Sequence, residues 1–171
     1  MEVKLAKLAD ATRVVDIIEQ NKMYLKSEDI PQWQDGYPNL ESITEDIEKG
    51  NCYILIDNHQ IVGTAALIDG IEETYDNILN GSWFTEGTPY VTIHRLAVDP
   101  ELKGKGLSNY FIEYCIKTFT HCTSIRIDTH ENNISMQKFL AKNGFNYCGE
   151  ITLRDGSPRL AFELLMQNYC N

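Results

Sequence analysis

At 171 residues, 43% of them hydrophobic, the chain has the size of one domain that can bury a real core, which excludes an intrinsically disordered protein. A net charge of −10 argues against nucleic acid as a partner, because a phosphate backbone needs a basic surface. Cationic acceptors such as amines are compatible with it, although plain solubility accounts for the charge equally well.

The amino terminus, Met1-Glu2-Val3-Lys4, leads straight into strand-like alternation with no signal-peptide pattern, and no apolar run is long enough to span a bilayer. Val3 to Leu8 reads as a first strand. Asp10 is placed to cap a helix carrying Val14, Val15, Ile17, Ile18 and Tyr24 on its apolar side. Ser27 to Pro38 is a polar break that also holds Trp33 and Tyr37. A second helix runs from Leu40 to Lys49 and ends at Gly50. Cys52 to Asp57 and Gln60 to Asp69 form a hairpin around Asn58-His59. Gly70 to Pro89 reads as a long functional loop with a helical turn, containing Tyr75, Trp83, Phe84 and acidic residues. Tyr90 to Val98 is a strand, Leu107 to Thr120 a helix with Leu107, Phe111, Cys115 and Phe119 on one stripe, and Ser124 to Thr129 a strand. Ile134 to Asn143 is a helix closed by Gly144. Phe145 to Leu153 and Leu160 to Met166 are strands around Asp155-Gly156. No linker or repeat interrupts this order, so residues 1–171 are expected to form a single domain. Five cysteines (Cys52, Cys115, Cys122, Cys148, Cys170) without a CxxC pair read as reduced thiols of a cytoplasmic protein, with Cys115 as core filler.

The densest information lies between His94 and Ile116. An apolar strand ends at Asp99-Pro100, a short loop carries Lys103-Gly104-Lys105-Gly106-Leu107-Ser108, and a helix follows. The first amides of a helix lack intrahelical partners and sit at the positive end of its dipole. Glycines let such backbone approach a phosphate closely. This arrangement predicts a site for a phosphate-bearing cofactor. The glycine spacing fails the P-loop pattern, and Asn109 stands where a dinucleotide fingerprint needs its third small residue.

What remains resembles the acetyl-CoA site of the GNAT family, the Gcn5-related N-acetyltransferases. Leu96-Ala97-Val98-Asp99-Pro100 followed by the Lys103–Ser108 loop resembles the family's strand and pyrophosphate loop, and Asn133 with Gly144-Phe145 resembles its downstream unit. The resemblance covers roughly Tyr90 to Met166. Lys103 stands where the family has Arg or Gln, and Ser108 where it has Gly or Ala. Leu140 occupies the place of the family's Tyr, the usual acid for the departing thiolate, and a hydrocarbon cannot donate a proton. The fold implied is α/β, with a central, mostly antiparallel mixed sheet, one splayed parallel pair and flanking helices. The activity implied is transfer of an acetyl group from acetyl-CoA to a primary amine of a small molecule or peptide. The alternatives are an alcohol acceptor, another acyl-CoA, or an acyl-CoA-binding sensor without turnover, which Leu140 keeps open. Dimers are frequent in the family, so a homodimer is among the expected assemblies.

The resemblance also assigns candidate residues. Leu96, Ala97, Val98, Lys103, Gly104, Lys105, Gly106, Leu107, Ser108, Asn133 and Leu140 would contact the cofactor, Leu140 as an apolar wall facing the sulfur. The Val98 backbone amide would stabilise the oxyanion. His94 is the candidate base, on the same strand side as Leu96 and Val98 by period-two alternation, with an unperturbed pKa of about 6.5; a structural histidine is the equal alternative. Trp33, Tyr37, Trp83 and His130 are candidates to line the acceptor pocket, although each also reads as a core lid or a polar strand end. Asn133 also suits a helix N-cap. His59 and His121 read as surface residues, no histidine pair has metal-ligand spacing, and no metal is expected.

Overall fold

The computed structural model describes residues 1–169. Cys170 therefore lies outside the described residues. Among the described residues seven strands and four α-helices follow in the order β1 (Glu2–Leu5), α1 (Ala11–Ser27), α2 (Leu40–Glu48), β2 (Cys52–Asp57), β3 (Gln60–Asp69), β4 (Tyr90–Val98), α3 (Asn109–Thr118), β5 (Ser124–Thr129), α4 (Ile134–Lys142), β6 (Asn146–Thr152) and β7 (Pro158–Leu165). The strands hydrogen-bond in the order β1-β2-β3-β4-β5-β7-β6, a mixed sheet in which β4 and β5 are parallel. No helix is long and apolar enough to cross a membrane among the described residues. Packing divides the chain into two compact units. One comprises Met1–Leu67 with His94–Tyr114, the other Ile68–Ile93 with Cys115 onward.

In the first unit, β1 and β2 pair antiparallel from Glu2↔Ile56 to Leu5↔Tyr53. The Asn58-His59 turn takes positive φ at both residues (46° and 66°), the conformation that suits a two-residue hairpin to strand twist. The α1 residues Val14, Ile17, Ile18 and Leu25 are buried, a helical repeat of three and four, and Val14, Ile17 and Ile18 pack with Ile43 and Ile47 of α2 and Cys52 and Ile54 of β2. Tyr24, expected on that stripe, is only half-buried, and Leu25 is buried in its place. Asp10 does not cap α1. Its carboxylate accepts the Lys7 N–H at 2.8 Å within a 3-10 turn at Leu8–Asp10, which also cuts the first strand short at Leu5. At α2 the caps follow the sequence: Asn39 accepts the Ser42 N–H at 3.0 Å, and Gly50 follows the helix with φ +71°.

In the second unit, β7 lies between β5 and β6 and is antiparallel to both, and β4 contributes the parallel pairs Tyr90↔Ser124, Val91↔Ile125 and Thr92↔Arg126. The segment before β4 is less loop-like than its composition suggests. Residues Glu73–Tyr75 form a 3-10 turn, Leu79 exchanges two hydrogen bonds with Glu150 at 2.7 and 2.8 Å, and Tyr75 and Trp83 are buried with Tyr90, Cys148 and Ile151. Gly81 is required there, because a Cβ would stand 1.9 Å from the Cys148 carbonyl oxygen.

This unit buries one ion pair completely. The Arg126 Nε–Glu163 Oε1 distance is 3.0 Å, with the guanidinium 4.2 Å from the Trp83 ring and 3.9 Å from that of Tyr90. Glu163 also accepts from the Phe84 N–H at 2.6 Å, from Ser124 Oγ at 2.7 Å and from the Thr85 hydroxyl. Burial acts to raise the Glu163 pKa, but the bonds from Thr85, Ser124 and Arg126 outweigh it and hold the carboxyl below its usual range. A depressed carboxyl pKa stabilises the fold above the unfolded-state value of about 4.3, and that contribution disappears as pH falls through the lower native value. Glu163→Gln leaves the buried Arg126 without its counter-charge and is expected to cost about 3–5 kcal/mol by urea denaturation at pH 7. The difference between wild type and variant should shrink steadily below about pH 4.

Candidate active site

The end of β4 is bent. Arg95 has φ +53°, a left-handed residue inside a strand, so the two-residue alternation that would align His94 with Leu96 and Val98 is broken. His94 and Arg95 are both half-buried, whereas Leu96 and Ala97 are both buried. The bend is held by charge. Arg95 approaches Asp46 of α2 at 2.7 Å through both Nη2–Oδ1 and Nε–Oδ2, and its Nη1 donates to the Tyr37 hydroxyl. Burial raises the Asp46 pKa above the usual carboxylate value, and Arg95, then His94, oppose that rise electrostatically. His94, Arg95, Asp46 and Tyr37 are thus gathered at one place in the first unit. Asp46 and Arg95 were not candidates from sequence. The available signal was an acid at the inward position of α2, between Ile43 and Ile47.

Beyond the bend the strand end is fixed by side chains of α1. Asn21 Nδ2 donates to the Val98 carbonyl at 2.9 Å and to Ile17 at 2.8 Å, and Arg13 Nη2 lies 2.6 Å from Asp99 Oδ2. The Asp99 N–H donates to the Val62 carbonyl at 2.9 Å. Gly63 sits close under this strand, where a Cβ would lie 3.3 Å from the Ala97 carbonyl oxygen. A 3-10 turn at Pro100–Leu102 then leads into the glycine loop. Gly104 and Gly106 adopt φ +83° and +74°, where a side chain would be strained. Lys103 to Gly106 are exposed, and the Leu107 side chain is buried as the loop's anchor. The amides of Gly104, Gly106, Leu107 and Ser108 have no acceptor among the described residues, and α3 begins at Asn109, two residues later than the sequence pattern places it. Lys103 Nζ lies 3.1 Å from the centre of the Tyr24 ring. The loop therefore offers four unused N–H groups, a helix start and two lysines, an arrangement whose chemistry suits an anion.

The remaining candidates are placed differently. Trp33 is half-buried with φ +65° and packs against the first unit's core, while Tyr37 is exposed beside Arg95. In the second unit, Asn133 is a buried N-cap whose Oδ1 accepts the Met136 N–H at 3.1 Å. His130 directly follows β5; its Nδ1 accepts the Asn132 N–H at 3.1 Å, and burial pushes the imidazole pKa down. Trp83, expected on the acceptor side, is core: its indole N–H donates to the Tyr75 carbonyl at 2.8 Å. Leu140, expected as an apolar wall facing the sulfur, has no accessible surface. It is the inward residue of α4, whose packing uses the position completely. Cys115 is buried as expected, and burial drives its thiol pKa far above the usual range.

Strand, glycine loop and helix start follow one another here in the order that the sequence resemblance implies. The model of the acetyltransferase (GNAT) family matches residues 18–145. The chain belongs to this family. An acetyltransferase of the GNAT family from Streptococcus agalactiae 2603 is 36% identical over 96% of this chain and 94% of its own, with a TM-score of 0.88. The PaiA N-acetyltransferase of Thermoplasma acidophilum, solved with coenzyme A, shares the fold at 16% identity, 96% and 98% coverage and a TM-score of 0.68. The NatC complex bound to Gag peptide and CoA shares it at 14% identity, 96% and 99% coverage and a TM-score of 0.66. A search of curated proteins finds no match.

Because Leu140 is wholly enclosed, Leu140→Tyr should overpack the second unit rather than restore an acid. The expected cost is about 1–3 kcal/mol in a urea titration, and wild-type stability in this variant would mean that the position has room for a phenol.

Proposed function

We propose that the chain is an acetyl-CoA-dependent N-acetyltransferase acting by direct transfer to a primary amine of a small molecule or peptide. The observation that carries this reading is the set of unused amides at Gly104, Gly106, Leu107 and Ser108, at the end of a strand held by Asn21 and Arg13. Those amides suit a pyrophosphate. Lys103 and Lys105 add positive charge to a chain whose net charge is −10. The family match runs through segments of both units, which supports treating the whole chain as one acetyltransferase domain.

In the reaction, the amine nitrogen attacks the thioester carbonyl, a C–N bond forms, and the tetrahedral intermediate collapses with loss of the C–S bond and release of the CoA thiolate. The Val98 amide is the assigned donor to the oxyanion. His94 is the assigned base for the ammonium proton. The carboxylate of Asp46, close enough to feel the His94 charge, is suited to steady the imidazolium once it has formed.

Gly104→Val and Gly106→Val should each lower CoA affinity about 10²–10⁴-fold by calorimetry, since charge-assisted hydrogen bonds are worth roughly 1.5–3 kcal/mol each. The folds should survive at a cost of about 1–2 kcal/mol for the left-handed conformation. His94→Gln should reduce turnover about 10²–10⁴-fold with CoA affinity retained, measured as free thiol against an amine panel. Unchanged CoA affinity in both glycine variants would overturn the loop assignment. Tight acetyl-CoA binding with no transfer to any amine, peptide or alcohol would replace the enzyme by an acyl-CoA sensor.

A further inference from the structure

The second unit holds a group of side chains that acetyl transfer does not use. Asp69 is the last residue of β3, and His121 and Cys122 lie in the turn between α3 and β5. His121 Nε2 is 3.0 Å from Asp69 Oδ2 and 3.1 Å from Oδ1. Cys122 Sγ is 3.6 Å from the same His121 Nε2 and 3.7 Å from Asp69 Oδ1. The turn is fixed by its backbone: Cys122 N–H donates to Phe119 at 2.9 Å and Thr123 N–H to Pro89 at 2.8 Å.

Two readings of a Cys, a His and an Asp together can be separated by geometry. A nucleophilic relay uses opposite ring nitrogens, one toward the sulfur and the other toward the carboxylate. Here a single nitrogen, Nε2, faces both, so the three donors converge on one point instead of forming a chain. Their separations also fit a metal. With zinc about 2.3 Å from sulfur and about 2.0 Å from nitrogen or oxygen, the edges of a coordination tetrahedron are roughly 3.3–3.6 Å. The donor atoms all lie within 4.8 Å of one another. The Asp69 and His121 side chains are 44% and 57% accessible, so an ion can reach them from solvent, while Cys122 is buried at the base.

We propose that Asp69, His121 and Cys122 form a binding site for a borderline divalent cation, zinc foremost, with water as the fourth ligand. One thiolate, one imidazole and one carboxylate match zinc or cobalt and disfavour calcium and magnesium, which take oxygen donors. Binding replaces the thiol proton, which leaves as H⁺, by the metal–sulfur bond. The ion would tie the end of β3 to the α3–β5 turn.

The test uses full-length protein, freed of metal by a chelator and titrated with Co²⁺ as the spectroscopic probe. Wild type should take up one equivalent, with visible bands of tetrahedral cobalt and a near-ultraviolet thiolate-to-cobalt band, and Zn²⁺ should displace it. Cys122→Ser should lose the thiolate band. His121→Ala and Asp69→Asn, both at accessible side chains, should weaken binding at least tenfold, and His59→Ala, in the turn between β2 and β3, should not change it. Absence of the thiolate band in wild type, or its survival in Cys122→Ser, overturns the site, as does unchanged affinity in both His121→Ala and Asp69→Asn.

Discussion

A strand can present bare amides to a ligand only if something other than its own ladder holds its end still. In this protein α1 does that work. Asn21 takes the Val98 carbonyl, and Arg13 takes the Asp99 carboxylate and, at 3.2 Å, the Ile61 carbonyl. A buried backbone group without a partner costs free energy comparable to a lost hydrogen bond, so unused amides are tolerable only in the exposed stretch that follows. The chain meets this constraint by keeping Lys103 to Gly106 at the surface and sinking only the Leu107 side chain. Side-chain pins at the strand end, positive-φ glycines and a late helix start are three parts of one device.

Two arginine–carboxylate pairs are buried to different ends. Glu163 has donors from four residues around it, Phe84, Thr85, Ser124 and Arg126, and together they overcome the cost of burial, so the carboxyl is harder to protonate than usual. Asp46 is served chiefly by Arg95, burial prevails, and its carboxyl is easier to protonate. The first pair is completed by backbone, hydroxyl and aromatic partners and belongs to the scaffold. The second sits at a strand bend beside His94, among the residues to which the proposed reaction assigns a role. Removing a partner from either pair leaves a charge in a poorly solvated place, but only the second lies among residues to which a chemical role is assigned.

Local signals were legible in the sequence, and long-range ones were not. Gly50, Asn58-His59, Asp155-Gly156 and Gly144 each fix backbone geometry within a few residues, and each appears where its pattern places it. The glycine loop was legible for the same reason. The bend at Arg95 was not, because the left-handed residue is an arginine held by Asp46, far away in sequence, rather than a glycine that announces itself. Period-two reasoning about His94 failed at that residue. The full burial of Leu140 was not legible either, because a family position says which residue stands there but not how tightly α4 packs. The Asp69, His121 and Cys122 group was not legible, because β3 supplies Asp69 from 52 residues before His121 in the chain.

The burial of Leu140 bears on how a thiolate could leave. An acid is needed only when the leaving group is much more basic than the medium. A thiol of about pKa 8.5 is close enough to neutrality to depart as the anion. In the proposed reaction the proton that must be removed is instead the one on the attacking amine, whose pKa, near that of a lysine at about 10.4, lies far above neutrality. Chemistry of this kind therefore places the larger demand on a base and a smaller one on an acid. A chain that keeps a histidine beside a buried carboxylate, and fills the acid position with a leucine packed to zero exposure, distributes its side chains in that same proportion.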